Sequence, residues 1–163
     1  MSQTLPNAQP TPMFSGPLGF LSNFDTTPFW MPELNARVRS GEHAFNALKT
    51  LDERSRERIL AQPTPGLAKR QGRLVHLRPG WDTGGRVAAM QAVVRAKFAG
   101  PGDLHDQLVA TGDLLLVETN TWHDNFWGDC LCGRPTPVCA APGTNMLGEL
   151  LMALRAQIRY QRI

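Results

Sequence analysis

The stretch Ser40-Gly41-Glu42-His43-Ala44-Phe45-Asn46-Ala47-Leu48-Lys49-Thr50 decides how the rest of the chain is read. Ser40 suits an N-cap, because its hydroxyl can accept one of the orphan N–H groups of a first helical turn. Glu42 falls in that turn, where a carboxylate complements the helix dipole. Ala44, Ala47, Leu48 and Leu51 recur at helical spacing as an apolar stripe. Glu42, Phe45 or Asn46, and Lys49 form a second row, with Glu42 and Lys49 about two turns apart on nearly the same face. A carboxylate and an ammonium so placed can be a solvated ion pair. The apolar flanks, and the aromatic and acidic clusters further along, point the other way, to a pair with a chemical task.

Upstream, residues 1–12 are polar and proline-rich and are expected to form a flexible tail, leaving 13–163 as one domain. Phe14 to Phe24 places aromatics among Gly, Pro and Asn, which reads as an irregular segment with Phe20, Leu21 and Phe24 in the core. Asn23, polar inside that run, must find hydrogen bonds. Residues 27–39, with Pro28 and Pro32, suggest a hairpin of short strands.

Downstream, residues 52–61 read as a charged, exposed helix. Thr64-Pro65 opens another helix, expected to run through Leu67, Leu74 and Val75 and carrying Lys69, Arg70 and Arg73. Pro79-Gly80-Trp81-Asp82 is a turn bearing an aromatic. Residues 86–98 have the period of an amphipathic helix, 103–111 form a short one, and 145–160 a long one with Leu147, Leu151, Leu154 and Ile158 on its core face. Leu114 to Glu118 is the best strand candidate. It runs into Trp122-His123-Asp124-Asn125-Phe126-Trp127, too rich in aromatic and acidic groups for a plain surface turn. No repeat or linker divides the chain. The fold class expected is α+β, one compact, mostly helical domain with a few short strands.

A formal charge of +3 suits phosphate-bearing partners. Basic residues are almost all arginine; Lys49, Lys69 and Lys97 are the only lysines, and a lysine in such a chain can mark a need for a compact or titratable amine. Three cysteines, an odd number, argue against a disulfide framework and for a reducing compartment. No early apolar run reads as a signal peptide or membrane span, so the expected location is the cytoplasm.

Cys130-x-Cys132, with Cys139 and His123 nearby, invites a zinc reading. The spacing departs from the usual two-residue separation within a cysteine pair and no second strong pair follows, so no metal is assigned. There is no Walker loop and no dinucleotide fingerprint, and no cofactor is assigned. Carboxylates (Glu42, Glu118, Asp124), Trp81 and Trp127, one helical lysine and several basic groups remain. That inventory suits cleavage of a sugar–base bond. Aromatic faces stack a base, cations hold a sugar phosphate, and a carboxylate stabilises an oxocarbenium-like centre or steers water. Alternatively, a lysine of lowered pKa attacks a ring-opened ribose as a Schiff base.

Phe20-Leu21-Ser22-Asn23-Phe24, Ser40-Gly41-Glu42-His43-Ala44-Phe45 with Lys49, Ala68-Lys69-Arg70-Gln71-Gly72-Arg73, Arg78-Pro79-Gly80-Trp81-Asp82, Asp124-Asn125-Phe126-Trp127-Gly128 and Gly143-Thr144-Asn145-Met146-Leu147-Gly148 occur in that order. The set resembles the NADAR domain family of YbiA-like N-glycosidases over roughly residues 14–158. The resemblance implies a YbiA-like fold and hydrolysis of N-glycosidic bonds, in ADP-ribosylated guanine of nucleic acid or in phosphorylated riboflavin-pathway intermediates. It also implies a partner that is a ribosyl-phosphate or ADP-ribosyl substrate, carried on DNA or RNA in one version, for a monomeric enzyme. By position Glu42, Trp81, Asp124 and Trp127 match the family's active-site residues, and Lys49 the lysine proposed to form a Schiff base. Asn23, Lys69, Arg73, Glu118 and Asn145 match further pocket positions. The departure is an insertion at 129–142 that carries the three cysteines. A silent ADP-ribose-binding module, the reading from another class, would need the pocket without Glu42 and Lys49 together.

Overall fold

The computed structural model describes residues 14–133, 139 and 141–161; the expected tail at 1–12 lies outside the described residues. The chain folds around α1 (Gly41–Ala47), every residue of which is buried. Ser40 caps it as expected, its hydroxyl accepting from the His43 N–H. Such a helix must satisfy its polar groups internally. His43 does so through Ser40 Oγ at 2.7 Å and the Gln62 carbonyl at 2.9 Å. The carbonyl can only accept, so Nε2 carries the proton and Nδ1 accepts from the serine.

Against α1 pack α2 (Glu53–Leu60), α3 (Pro65–Gly72) and α4 (Arg86–Phe98). Helix α2 is capped by Asp52 and carries an exposed Glu53–Arg56 pair, as its charge pattern suggests. Helix α3 starts at the expected Thr64-Pro65 but stops at Gly72, and Leu74 beyond it is exposed. The N–H groups of Arg73 and Leu74 bond the carbonyls three residues back, so the last turn tightens and the helix ends before Leu74. Leu51 likewise leaves the apolar stripe: α1 ends at Ala47 and Leu51 faces solvent.

The expected hairpin is β1 (Phe29–Met31) paired antiparallel with β2 (Ala36–Val38). The segment before it is a 3-10 turn, Gly16–Leu21. Lys97 of α4 staples it down, donating to the carbonyls of Phe20 at 2.7 Å and Ser22 at 2.9 Å and pairing with Asp25 at 3.1 Å. Leu21 is in the core as expected, and Phe20 packs edge-on against Phe98. Phe24 is not in the core; it is exposed.

The largest correction concerns residues 114–118, which form no strand; among the described residues the Glu118 carbonyl alone takes a ladder bond, from the Asp129 N–H at 2.8 Å. Here the side chains of the final helix, α6 (Met146–Gln161), and of the residue before it take the place of a neighbouring strand. Arg155 donates to the Leu114 carbonyl, Asn145 Nδ2 to the Leu116 carbonyl at 2.8 Å, and Asn145 Oδ1 accepts from the Glu118 N–H at 3.0 Å. Gly148 and Gly128 let the helix and a loop close on this backbone: a Cβ at either would strike the carbonyl of Leu116 or Glu118. At the very next residue the chain does form a strand, β3 (Thr119–Asn120), parallel to β4 (Asp129–Cys130). Helix α5 (Asp103–Ala110) bridges α4 and α6. Leu147, Leu151, Leu154 and Ile158 enter the core as their period implies. The expected α+β class, mostly helical with short strands, is the one observed. Among the described residues no helix is long and apolar enough to cross a membrane.

Asn145 thus replaces a strand partner with one side chain, and does so at a positive φ of 50° that asparagine tolerates. Asn145→Ala leaves a buried N–H and C=O unmet and should lower unfolding free energy by about 2–3 kcal/mol. Urea denaturation checks this; a change below about 0.5 kcal/mol would mean that water or another group supplies both bonds.

Candidate active site

A cavity of about 780 Å³ opens between α1, α3 and the loop that follows β3. Asn23, Glu42, Lys49, Lys69, Arg73, Glu118, Asp124 and Trp127 all line it, from five separate stretches of chain. Trp81 and Asn145, expected to contact substrate, do not. Trp81 is buried and packs against Phe45 at 5.3 Å, behind the wall. Asn145 has both ends of its amide committed to the 116–118 backbone that delivers Glu118. Both position other groups.

Helix α1 supplies one wall. Glu42 Oε1 accepts from Asn46 Nδ2 at 2.9 Å and lies 4.0 Å from Lys69 Nζ. Lys49 sits just past the end of α1, held by a bond from Arg78 N–H to its carbonyl at 2.7 Å. Its ammonium is 5.5 Å from the Phe45 ring centre and makes no ion pair within 4.0 Å among the described residues. Desolvation and the Glu42 charge act in opposite directions on this amine. Burial is the larger effect, and with help from Lys69 and Arg73 it holds the Lys49 pKa below its ordinary 10.5 against the pull of Glu42.

Glu118 lines the same cavity. Burial, with a smaller push from Asp124, raises its carboxyl to about 7, against a bond from the Phe14 backbone and the charge of Lys69. Its Oε2 is buried without a hydrogen-bond partner among the described residues. A carboxyl half-protonated near neutral pH can both give and take a proton. The sequence counts it among the carboxylates able to steer water and matches it to a pocket position; its placement at the end of an apolar run is the signal for a proton-transfer role.

Asp124 holds its own loop. Its Oδ1 accepts from the N–H groups of Phe126 at 3.2 Å and Trp127 at 2.9 Å. Buried Asn120, missed in the sequence, braces the other side, donating to the Asp124 carbonyl and accepting from the N–H groups of Trp122 and Asp124. Trp127 meets Phe45 edge-on at 5.3 Å and Phe126 at 4.9 Å, and Arg86 caps Phe126 at 3.8 Å. The indole is therefore fixed as a platform before any ligand arrives. Phe24 and Trp122 add exposed aromatic surface at the mouth, Phe24 lying 5.5 Å from Lys69 Nζ. Phe24 was assigned to the core because it is aromatic; its exposure beside a cation is a tertiary fact. Asn23 donates to Met90 Sδ at 3.2 Å, so the hydrogen bond its position demanded is partly to sulfur.

The NADAR domain model matches residues 13–159. N-glycosidase YbiA of Escherichia coli is 35% identical over 147 residues, 88% of this chain and 84% of that protein. Riboflavin biosynthesis protein VVA0006 of Vibrio vulnificus is 35% identical over 144 residues, 86% of this chain but 36% of that longer protein. The NMR structure of E. coli YbiA superposes with a TM-score of 0.77 at 33% identity, covering 94% of this chain and 86% of that one. The chain belongs to the NADAR domain family.

Proposed function

We propose that this chain is an N-glycosidase that cleaves the bond between a phosphorylated ribose and an amino-bearing base, the removal of ADP-ribose from guanine in nucleic acid being the leading case. The observation that carries the reading is a half-buried Lys49 with its pKa lowered, lining the same cavity as a Glu118 carboxyl at about 7. Lys69 and Arg73 on one rim offer charge-assisted contacts to phosphate. Trp127 supplies a stacking face. A cavity of about 780 Å³ has room for a diphosphate-bridged ligand. The expected cytoplasmic location fits an odd number of cysteines that carry thiols.

An N-glycosylamine opens to an imine at C1′. The neutral amine of Lys49 adds to that carbon, forming a C–N bond, and the new ammonium loses a proton. The base nitrogen takes up a proton as its bond to C1′ breaks, and the base leaves as an amine. Water then adds to the C1′–lysine imine and the lysine departs, leaving the sugar aldehyde. Glu118 is the group suited to both proton transfers. Glu42, matched to the family's active-site residues, has Oε1 engaged by Asn46 and faces Lys69; its carboxylate stands beside the developing positive centre. Asp124 orients the loop and the water.

A second reading, hydrolysis of phosphoribosylamino-pyrimidines, is favoured by the name of the Vibrio relative. Both substrates are assayed separately, with borohydride present. Release of ADP-ribose from modified DNA with a sugar adduct trapped on Lys49, lost in Lys49→Arg, is expected. Turnover of the pyrimidine alone would establish the second reading. An active Lys49→Arg enzyme without adduct would replace the covalent step with direct water attack, and binding without turnover of either substrate would leave only a recognition module.

The raised Glu118 carboxyl has a stability consequence of definite sign. From about pH 4.5 to about 7 the folded chain keeps a proton that the unfolded chain has lost. Stability contributed by this group therefore falls as pH rises through that window. Glu118→Gln never ionises, so its melting temperature should rise relative to the parent between pH 5 and 8 while its turnover collapses. A difference that stays constant with pH would mean that Glu118 is ionised throughout.

A further inference from the structure

His123, Cys130, Cys132 and Cys139 stand seven, two and seven residues apart, a spacing that matches no common zinc pattern and on which a metal was set aside. That ground does not hold in three dimensions. The Nδ1 or Nε2 of the histidine and the three Sγ atoms all lie within 4.8 Å of one another. His123 Nδ1 is 3.2 Å from Cys139 Sγ and 4.0 Å from Cys130 Sγ. With Zn–S near 2.3 Å and Zn–N near 2.0–2.1 Å, tetrahedral donors stand roughly 3.5–3.8 Å apart, between those two separations. The backbone is arranged to bring them there. His123 sits at a φ of 69°, a left-handed turn uncommon outside glycine. Cys130 lies in β4, its N–H donating to Asn125 Oδ1 at 2.8 Å, and Asn125 Nδ2 reaches across to the Ala141 carbonyl at 3.0 Å. The three cysteines carry thiols and no disulfide.

The geometry points to a structural zinc site built from His123, Cys130, Cys132 and Cys139. Three soft thiolates and one imidazole select zinc among the common divalent ions, and four protein donors leave no open position for catalysis. Binding releases the thiol protons to solvent. The ion would join the insertion at 129–142 to the loop that carries the cavity residues Trp122, Asp124 and Trp127, since His123 lies between the first two. The site stands apart from the proposed chemistry and does not depend on it.

The full chain, produced with zinc supplied and purified under reducing conditions, should contain about one zinc per molecule by elemental analysis. Cobalt(II) in its place should give a thiolate charge-transfer band and the strong visible bands of a tetrahedral ion. The double variant Cys132→Ser/Cys139→Ser, checked for folding by circular dichroism, should fall below about a tenth of the parent's zinc and lose the cobalt spectrum. A single Cys139→Ser variant keeps the test decisive if the double variant fails to fold. Parent protein with less than about a tenth of an equivalent after zinc reconstitution would overturn the proposal. So would a disulfide among these cysteines in the reduced preparation, or full zinc in the folded variants.

Discussion

A seven-residue helix with no face on solvent sets the terms for the rest of the molecule. Burying α1 on all sides removes water as a partner, so each polar group on it is either satisfied by the protein or left reactive. Ser40 and His43 are satisfied by each other and by the Gln62 carbonyl. Asn46 ties its Nδ2 to Glu42, while its buried Oδ1 has no partner among the described residues. Lys49, just past the helix end, has among the described residues the Phe45 ring beneath it and the Glu42 charge to offset desolvation, and its amine is correspondingly easier to deprotonate. The same burial that stabilises the core thus prepares the chemistry.

The contrast with Lys97 makes the point from inside the same chain. That lysine is buried more deeply, and burial is again the largest influence on its pKa, which is lowered. It is nevertheless surrounded by two carbonyls and a carboxylate, which occupy the three donors of an ammonium and fasten residues 20–25 to α4. One lysine is a staple; the other, half-buried, faces a cavity with an amine made easier to deprotonate. Partners decide between them, and burial alone does not.

Much of this was legible in the chain itself. Caps at Ser40 and Thr64, the charge pattern of residues 52–61, the amphipathic period of α4 and α6, and the proline-marked hairpin are local signals, and the elements appear where those signals fall. The family motifs brought eight of the ten expected site residues to one cavity. Failures came where a side chain far along the sequence replaced a local rule. The apolar run 114–118 has strand composition, but Asn145 and Arg155 take its hydrogen bonds. Trp81 has the chemistry of a stacking platform, yet its ring backs Phe45. The cysteine spacing hid a cluster that only folding assembles.

The central claim is that burial outweighs Glu42 at Lys49 and leaves an amine available in the cavity. It is tested most directly by NMR titration of the Lys49 side chain, labelled at Cε or Nζ and assigned by comparison with Lys49→Arg. A midpoint clearly below the ordinary 10.5 is the expected result. A midpoint at or above that value would show that Glu42 holds the ammonium charged, and the covalent role of Lys49 would be contradicted.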